Sequence, residues 1–83
     1  MKKTVMDEQL RQRITFNPKV MVGKPVIRGT RIPVELVVRM LAQGISESEI
    51  IQEYPRLQPD DIRAALIYAA DVLAHEDVFP LAG

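Results

Sequence analysis

Two arginines flank a Gly-Thr pair in the stretch KPVIRGTRIPVELVV. Arg28 and Arg31 lie on either side of Gly29-Thr30, with Ile27 and Ile32 just outside them. A guanidinium is a permanently charged, fork-shaped donor suited to holding a carboxylate or a phosphate. Glycine in the first position of a two-residue loop suits a type II′ turn. In that register Arg28 faces Arg31 on one side of a hairpin and Ile27 faces Ile32 on the other. Like charges directly opposite each other are destabilising unless something negative sits with them. That anion has two candidate sources. Glu35 or Glu53 of the chain itself would make the pair a structural clamp. A phosphate, or a partner's carboxylates, would make it a binding site. Lys24, Arg56 and Arg63 are the other cations expected to hold nucleic acid or another anion.

Other chemistry finds little support in the residue types. There is no cysteine, one histidine (His75), and no glycine-rich phosphate loop. No catalytic residue, cofactor or metal set is therefore assigned, and the expectation is a protein that is not an enzyme. Asp60-Asp61 is an acidic pair, but adjacent helical residues do not face each other. In the first turn of a helix their position is explained by the macrodipole.

The chain has 83 residues, enough for one small domain. Eleven basic residues balance eleven acidic ones. That balance argues against indiscriminate nucleic-acid binding, which needs a basic excess. No apolar run approaches the length of a membrane span. The segment MKKTVMDEQLRQR lacks the apolar centre of a signal peptide, so the expected location is the cytoplasm.

The elements that must position the arginines follow from local signals. Residues 1–13 read as a polar extension, either a tail or a short amphipathic turn through Met6, Leu10 and Ile14. Ile14–Phe16 is a strand candidate, closed by Asn17-Pro18. Val20-Met21-Val22 is apolar and Gly23-Lys24-Pro25 reads as a turn. Val26–Arg28 and Arg31-Ile32 make the hairpin. Pro33 then opens a first helix to Gln43, with Gly44 as its stop. Ser46-Glu47-Ser48-Glu49 is a capping box opening a second helix, which Pro55 ends. Pro59-Asp60-Asp61 opens a third helix to about Glu76. Its core stripe is Ile62, Leu66, Ala69 and Leu73, with Ala65 and Val72 beside it. The expected core also includes Ile27, Ile32, Val37, Leu41, Ile50 and Leu57. Residues 77–83 form a short apolar tail.

The fold class is thus mainly α: a short N-terminal β-hairpin region on a three-helix, helix-turn-helix-like (homeodomain-like) bundle, the domain spanning residues 14–76. The pattern from Asn17 to Ala70 resembles the domain-of-unknown-function 433 family. The shared features are Gly-Lys-Pro-x-Ile-x-Gly-Thr-Arg-Ile (Gly23–Ile32), the Gly-Ile-Ser helix junction, Tyr-Pro-x-Leu, and Asp-Ile-x-Ala-Ala-Leu. Gly29–Ile32 is the most specific block. Gln58 stands where the family often has a threonine at the helix start. The resemblance implies a helix-turn-helix-like fold. It also implies an antitoxin of a type II toxin–antitoxin pair whose partner is a PIN-like ribonuclease toxin.

Two kinds of surface follow. As a recognition helix, the third helix would meet operator DNA, and a DNA-binding regulator without a toxin is the alternative function. Its expected outer face carries Arg63, Ala64, Ile67, Ala70, Asp71 and Ala74, of which only Arg63 suits DNA, while Asp60 and Asp61 repel it. For protein contacts the first helix is apolar on two faces: Val34, Val37, Val38 and Leu41 on one, Leu36 and Met40 on the other. The second face lies either beneath the strands or in a homodimer, with Phe16, Leu36 and Met40 among the contacts. Ile67, Val78, Phe79 and Leu81 offer apolar contacts to a partner, or the tail docks on its own domain.

Overall fold

The computed structural model describes residues 2–16, 18, 19 and 23–75. Four helices and two strands follow in the order α1 (Lys2–Arg11), β1 (Ile14–Phe16), β2 (Pro25–Ile27), α2 (Val34–Ala42), α3 (Glu47–Glu53) and α4 (Pro59–Ala74). The protein is mostly helical with a two-stranded antiparallel sheet. Ile14 pairs with Ile27, Thr15 with Val26 and Phe16 with Pro25.

The expected hairpin is corrected here. β2 pairs with β1, and the chain returning through Arg31-Ile32 makes only an isolated bridge, Val26 to Pro33. The turn is also shifted by one residue. The Ile27 carbonyl accepts from Thr30 N at 3.0 Å and from Thr30 Oγ1 at 2.7 Å, so Arg28-Gly29 form its centre. Gly29 has φ 81°, the left-handed region that glycine enters without a Cβ penalty. Thr30 Oγ1 also accepts from Ile32 N at 3.0 Å. That hydroxyl fixes the turn, and Pro33, lacking an N–H, cannot extend a ladder. Ile27 and Ile32 do meet, through Ile27 N to Ile32 O at 2.9 Å.

The helix ends follow local chemistry closely. Pro33 stands at the N-cap of α2, and Gly44, with φ 86°, follows its C-cap Gln43. At α3, Glu49 N donates to Ser46 Oγ (3.1 Å) and Ser46 N to Glu49 Oε1 (2.9 Å). The bond from the Ser46 backbone N–H, then the Ser46 side chain, holds the Glu49 carboxyl below its ordinary pKa. At α4, Gln58 N donates to Asp61 Oδ2 at 2.8 Å.

The core joins Ile27 from β2, Val34, Val37 and Met40 from α2, and Ile50, Leu57, Ile62 and Ala65. Ile32 and Leu41 pack against it, partly buried. Met40, expected on an interface, is therefore inside, and Leu36 also leans on the core.

Of the two expectations for the N-terminal segment, a tail or a short amphipathic turn, the helical one is found: α1 runs over Lys2–Arg11. α1 packs along α4 and buries Leu10. Ala64, expected to face outward, is fully buried. The third-helix stripe is corrected in the opposite sense. Ile62 and Ala65 are buried, but Leu66, Val72 and Leu73 are 46%, 42% and 66% exposed. Helix length explains the exposure of Val72 and Leu73. The 16 residues of α4 run about 24 Å, whereas the nine of α2 and seven of α3 run only about 14 and 11 Å. The shorter helices leave Val72 and Leu73 bare near the end of α4; Leu66 comes before Tyr68 and Ala69, which α2 does reach, so length does not account for its exposure. No helix among the described residues is long and apolar enough to cross a membrane.

Candidate functional site

Seven arginines are present, and their environments divide them. Arg11 and Arg13 lie against carboxylates of α4: Arg11 Nε is 2.7 Å from Asp71 Oδ2, and Arg13 Nη1 is 2.9 Å from Asp61 Oδ1. Arg39 pairs with Glu35 one helical turn away, and Arg63 stands 3.9 Å from Asp60. Arg28, Arg31 and Arg56 have no carboxylate within salt-bridge reach among the described residues. Arg56 Nη1 donates instead to the Gly29 carbonyl at 3.1 Å, tying the α3–α4 connection to the β2 turn.

Of the two candidate sources of an anion, a carboxylate of the chain itself stands beside neither Arg28 nor Arg31 among the described residues. Both are exposed, and with the turn centred on Arg28-Gly29 they are not a facing cross-strand pair. Water takes both charges, so no internal clamp is required. Glu35 is occupied by Arg39 and by Lys24, whose Nζ lies 3.3 Å away. The hydrogen bond from Arg39, then that from Lys24, holds the Glu35 carboxyl below its usual value. Lys24 thus belongs to a different cluster from Arg28 and Arg56.

Arg28 and Arg56 line a polar recess of about 400 Å³ together with Gln9, Arg13, Gln58 and Asp61. Arg13 and Gln9 escaped the sequence reading because they lie in the segment taken as an extension. The one available signal was Arg13 standing directly before the strand at Ile14. The backbone confirms the junction: Arg28 N donates to Arg13 O at 2.7 Å.

A second surface is apolar. An open groove of about 330 Å³ runs between α2 and α4, walled by Val34, Val38, Ala42, Tyr68 and Ala69 and rimmed by Glu35 and Arg39. Phe16, 59% exposed, sets its ring 6.1 Å from that of Tyr68. Leu66, Ala69 and Leu73 follow helical spacing on α4, with Val72 beside them. Of the expected interface residues, Phe16 lies on this face, Ile67 is half-buried, and Val78, Phe79 and Leu81 lie outside the described residues. His75 caps α4, its Nδ1 2.7 Å from the Asp71 carbonyl.

The described residues contain no group of three His, Cys, Asp or Glu side chains placed to hold a metal ion. What the fold and its two surfaces define is a small, mostly helical domain with one cationic turn and one bare apolar helix face.

The sequence profile of the DUF433 family, proteins of unknown function, matches residues 14–69, and the chain belongs to that family. The fold is similar to the crystal structure of a DUF433 member protein from Anabaena variabilis ATCC 29413. That likeness has a TM-score of 0.70 and 32% identity, and covers 88% of this chain and 72% of the other. Uncharacterized protein y4eO of Sinorhizobium fredii (strain NBRC 101917 / NGR234) is 41% identical over 59 residues, which is 71% of this chain. The chain spans only 27% of that relative's length. An uncharacterized protein of Archaeoglobus fulgidus is 62% identical over 29 residues, 35% of this chain and 81% of its own.

Proposed function

We propose that the protein is an antitoxin-like module that binds and neutralises a PIN-like ribonuclease toxin. The observation that carries this reading is the bare stripe of α4. Leu66, Val72 and Leu73 expose apolar side chains on the helix that forms one wall of the groove against α2. Large exposed apolar side chains in one region favour a protein partner and are of little use against a phosphate backbone. The helix-turn-helix-like reading of α3 and α4, the absence of an enzymatic role and the cytoplasmic location belong to the same proposal. So does a homodimer, in which a second copy covers this face when no toxin is present.

Operator binding is the second reading, and one observation favours it: Arg28, Arg31 and Arg56 are exposed without a carboxylate among the described residues. α4 is a poor recognition helix. Its N-terminal turn carries Asp60 and Asp61, and Asp61 is buried and paired to Arg13. DNA would therefore be met by the β2 turn rather than by α4.

The test is co-expression with the adjacent gene where that gene encodes a small nuclease-like protein. The expected result is co-purification and relief of the growth arrest that the nuclease causes alone. Failure of both would remove the antitoxin reading. A salt-dependent shift of the protein's own promoter fragment would then favour the regulator.

A further inference from the structure

We propose that the recess bounded by Arg28, Arg56 and Gln58 is a phosphate site that takes the backbone of a nucleic acid. It deepens the nucleic-acid reading above and is independent of toxin binding.

Charge is distributed unevenly in a chain whose formal total is zero. Arg11, Arg13, Arg39 and Arg63 each have a carboxylate within 4.0 Å, and two cations without one among the described residues line a single recess. Asp61, the acidic residue in that lining, does not neutralise them. Its two oxygens are engaged at 2.9 Å by Arg13 Nη1 and at 2.8 Å by Gln58 N. Arg56 spends Nη1 on the Gly29 carbonyl at 3.1 Å, which orients the guanidinium and leaves Nε and Nη2 as donors. Arg28 is fixed at its backbone by the 2.7 Å bond to Arg13 O. Gln58 Nε2 and the Gln9 amide add neutral donors. Two forks and two amides around about 400 Å³ of polar space suit a tetrahedral oxyanion with room for its ester groups.

The same lining limits what can be read. It holds no aromatic side chain for base stacking. Contacts there are to phosphate, which position a nucleic acid without specifying its sequence. Arg28 and Arg56, with Arg31 three residues beyond Arg28, neutralise two or three phosphates at most. The salt dependence should then be shallow, with log K against log salt near a slope of about −2 to −3.

The experiment uses the whole chain alone. A labelled short DNA duplex of arbitrary sequence is titrated by fluorescence anisotropy across a salt series. Inorganic phosphate is titrated in parallel by amide NMR. The expected result is weak duplex binding with that slope, and phosphate-induced shifts at the Arg28, Gly29 and Arg56 amides. Arg28→Gln and Arg56→Gln should each weaken duplex binding about ten-fold and reduce the slope by about one, and Arg39→Gln should leave both unchanged. Arg56→Lys, which keeps charge and a donor, guards against loss of fold and should retain most of the binding. Equal binding by wild type and both Gln variants overturns the site. Phosphate shifts without any duplex binding at low salt overturn the nucleic-acid source.

Discussion

Arg11 on α1 grips Asp71 on α4 with two parallel contacts, Nε to Oδ2 at 2.7 Å and Nη2 to Oδ1 at 3.1 Å, across sixty positions of sequence. The pair fastens the N-terminal helix to the last one. The hydrogen bond from Arg11 is the main cause holding the Asp71 carboxyl below its ordinary value of 3.8. The same bond raises the Arg11 guanidinium further above the physiological range.

A carboxyl whose pKa is lower in the folded state contributes stability that is present above its unfolded value. The contribution is lost as pH falls through the folded value. Asp71, Glu35 and Glu49 all carry this sign. Thermal melts at low salt should therefore be flat near neutrality and fall below about pH 4. The Asp71→Asn variant should lose a small part of that acid-dependent fall, because the pair is exposed. A melting temperature that rises on acidification would contradict this.

Leu10 ties α1 to the body of the domain. Leu10→Ala should destabilise by about 2–4 kcal/mol in urea unfolding, the usual cost of truncating a buried leucine. If α1 were a dispensable extension, the variant would unfold at the wild-type midpoint.

At the start of α3, Ser46→Ala removes the oxygen that accepts from Glu49 N. It should cost about 1 kcal/mol, read by the same unfolding curves. Gly29→Ala meets no neighbour within 4 Å, yet its φ of 81° imposes a backbone strain of about 1 kcal/mol. The expected outcome is a folded protein with a lowered midpoint.

What could be read from the residues was mostly local. Ser46 with Glu49, Gly44 after α2 and Pro33 before it all signal through partners one helical turn away, and all stand as expected. Strand β1 was also legible. The register of the Gly29 turn was not, because a single hydroxyl, Thr30 Oγ1, decides it. A turn through Leu10 was legible but the docking of α1 was not, because its partners are remote: Arg11 finds Asp71, and α1 finds α4, only in three dimensions. Val72 and Leu73 were misplaced for a related reason. Periodicity states which way a helix face points, but not whether the neighbouring helices are long enough to reach it. The recess at Arg28 and Arg56 was half legible, its cations by type and its Arg13 wall by nothing local.

The central claim is that the bare face of α4 is a docking surface for a protein. Leu73→Ser and Leu66→Ser change residues that contribute little to the core, so both variants should melt within a few degrees of wild type. The most direct measurement is the activity of a PIN-like ribonuclease, where the adjacent gene encodes one, titrated with the purified wild-type protein and with the Leu66→Ser/Leu73→Ser double variant. The account predicts saturable inhibition by the wild type and inhibition weakened at least ten-fold in a double variant that remains folded. Equal inhibition by the two proteins, or none by either, would contradict it.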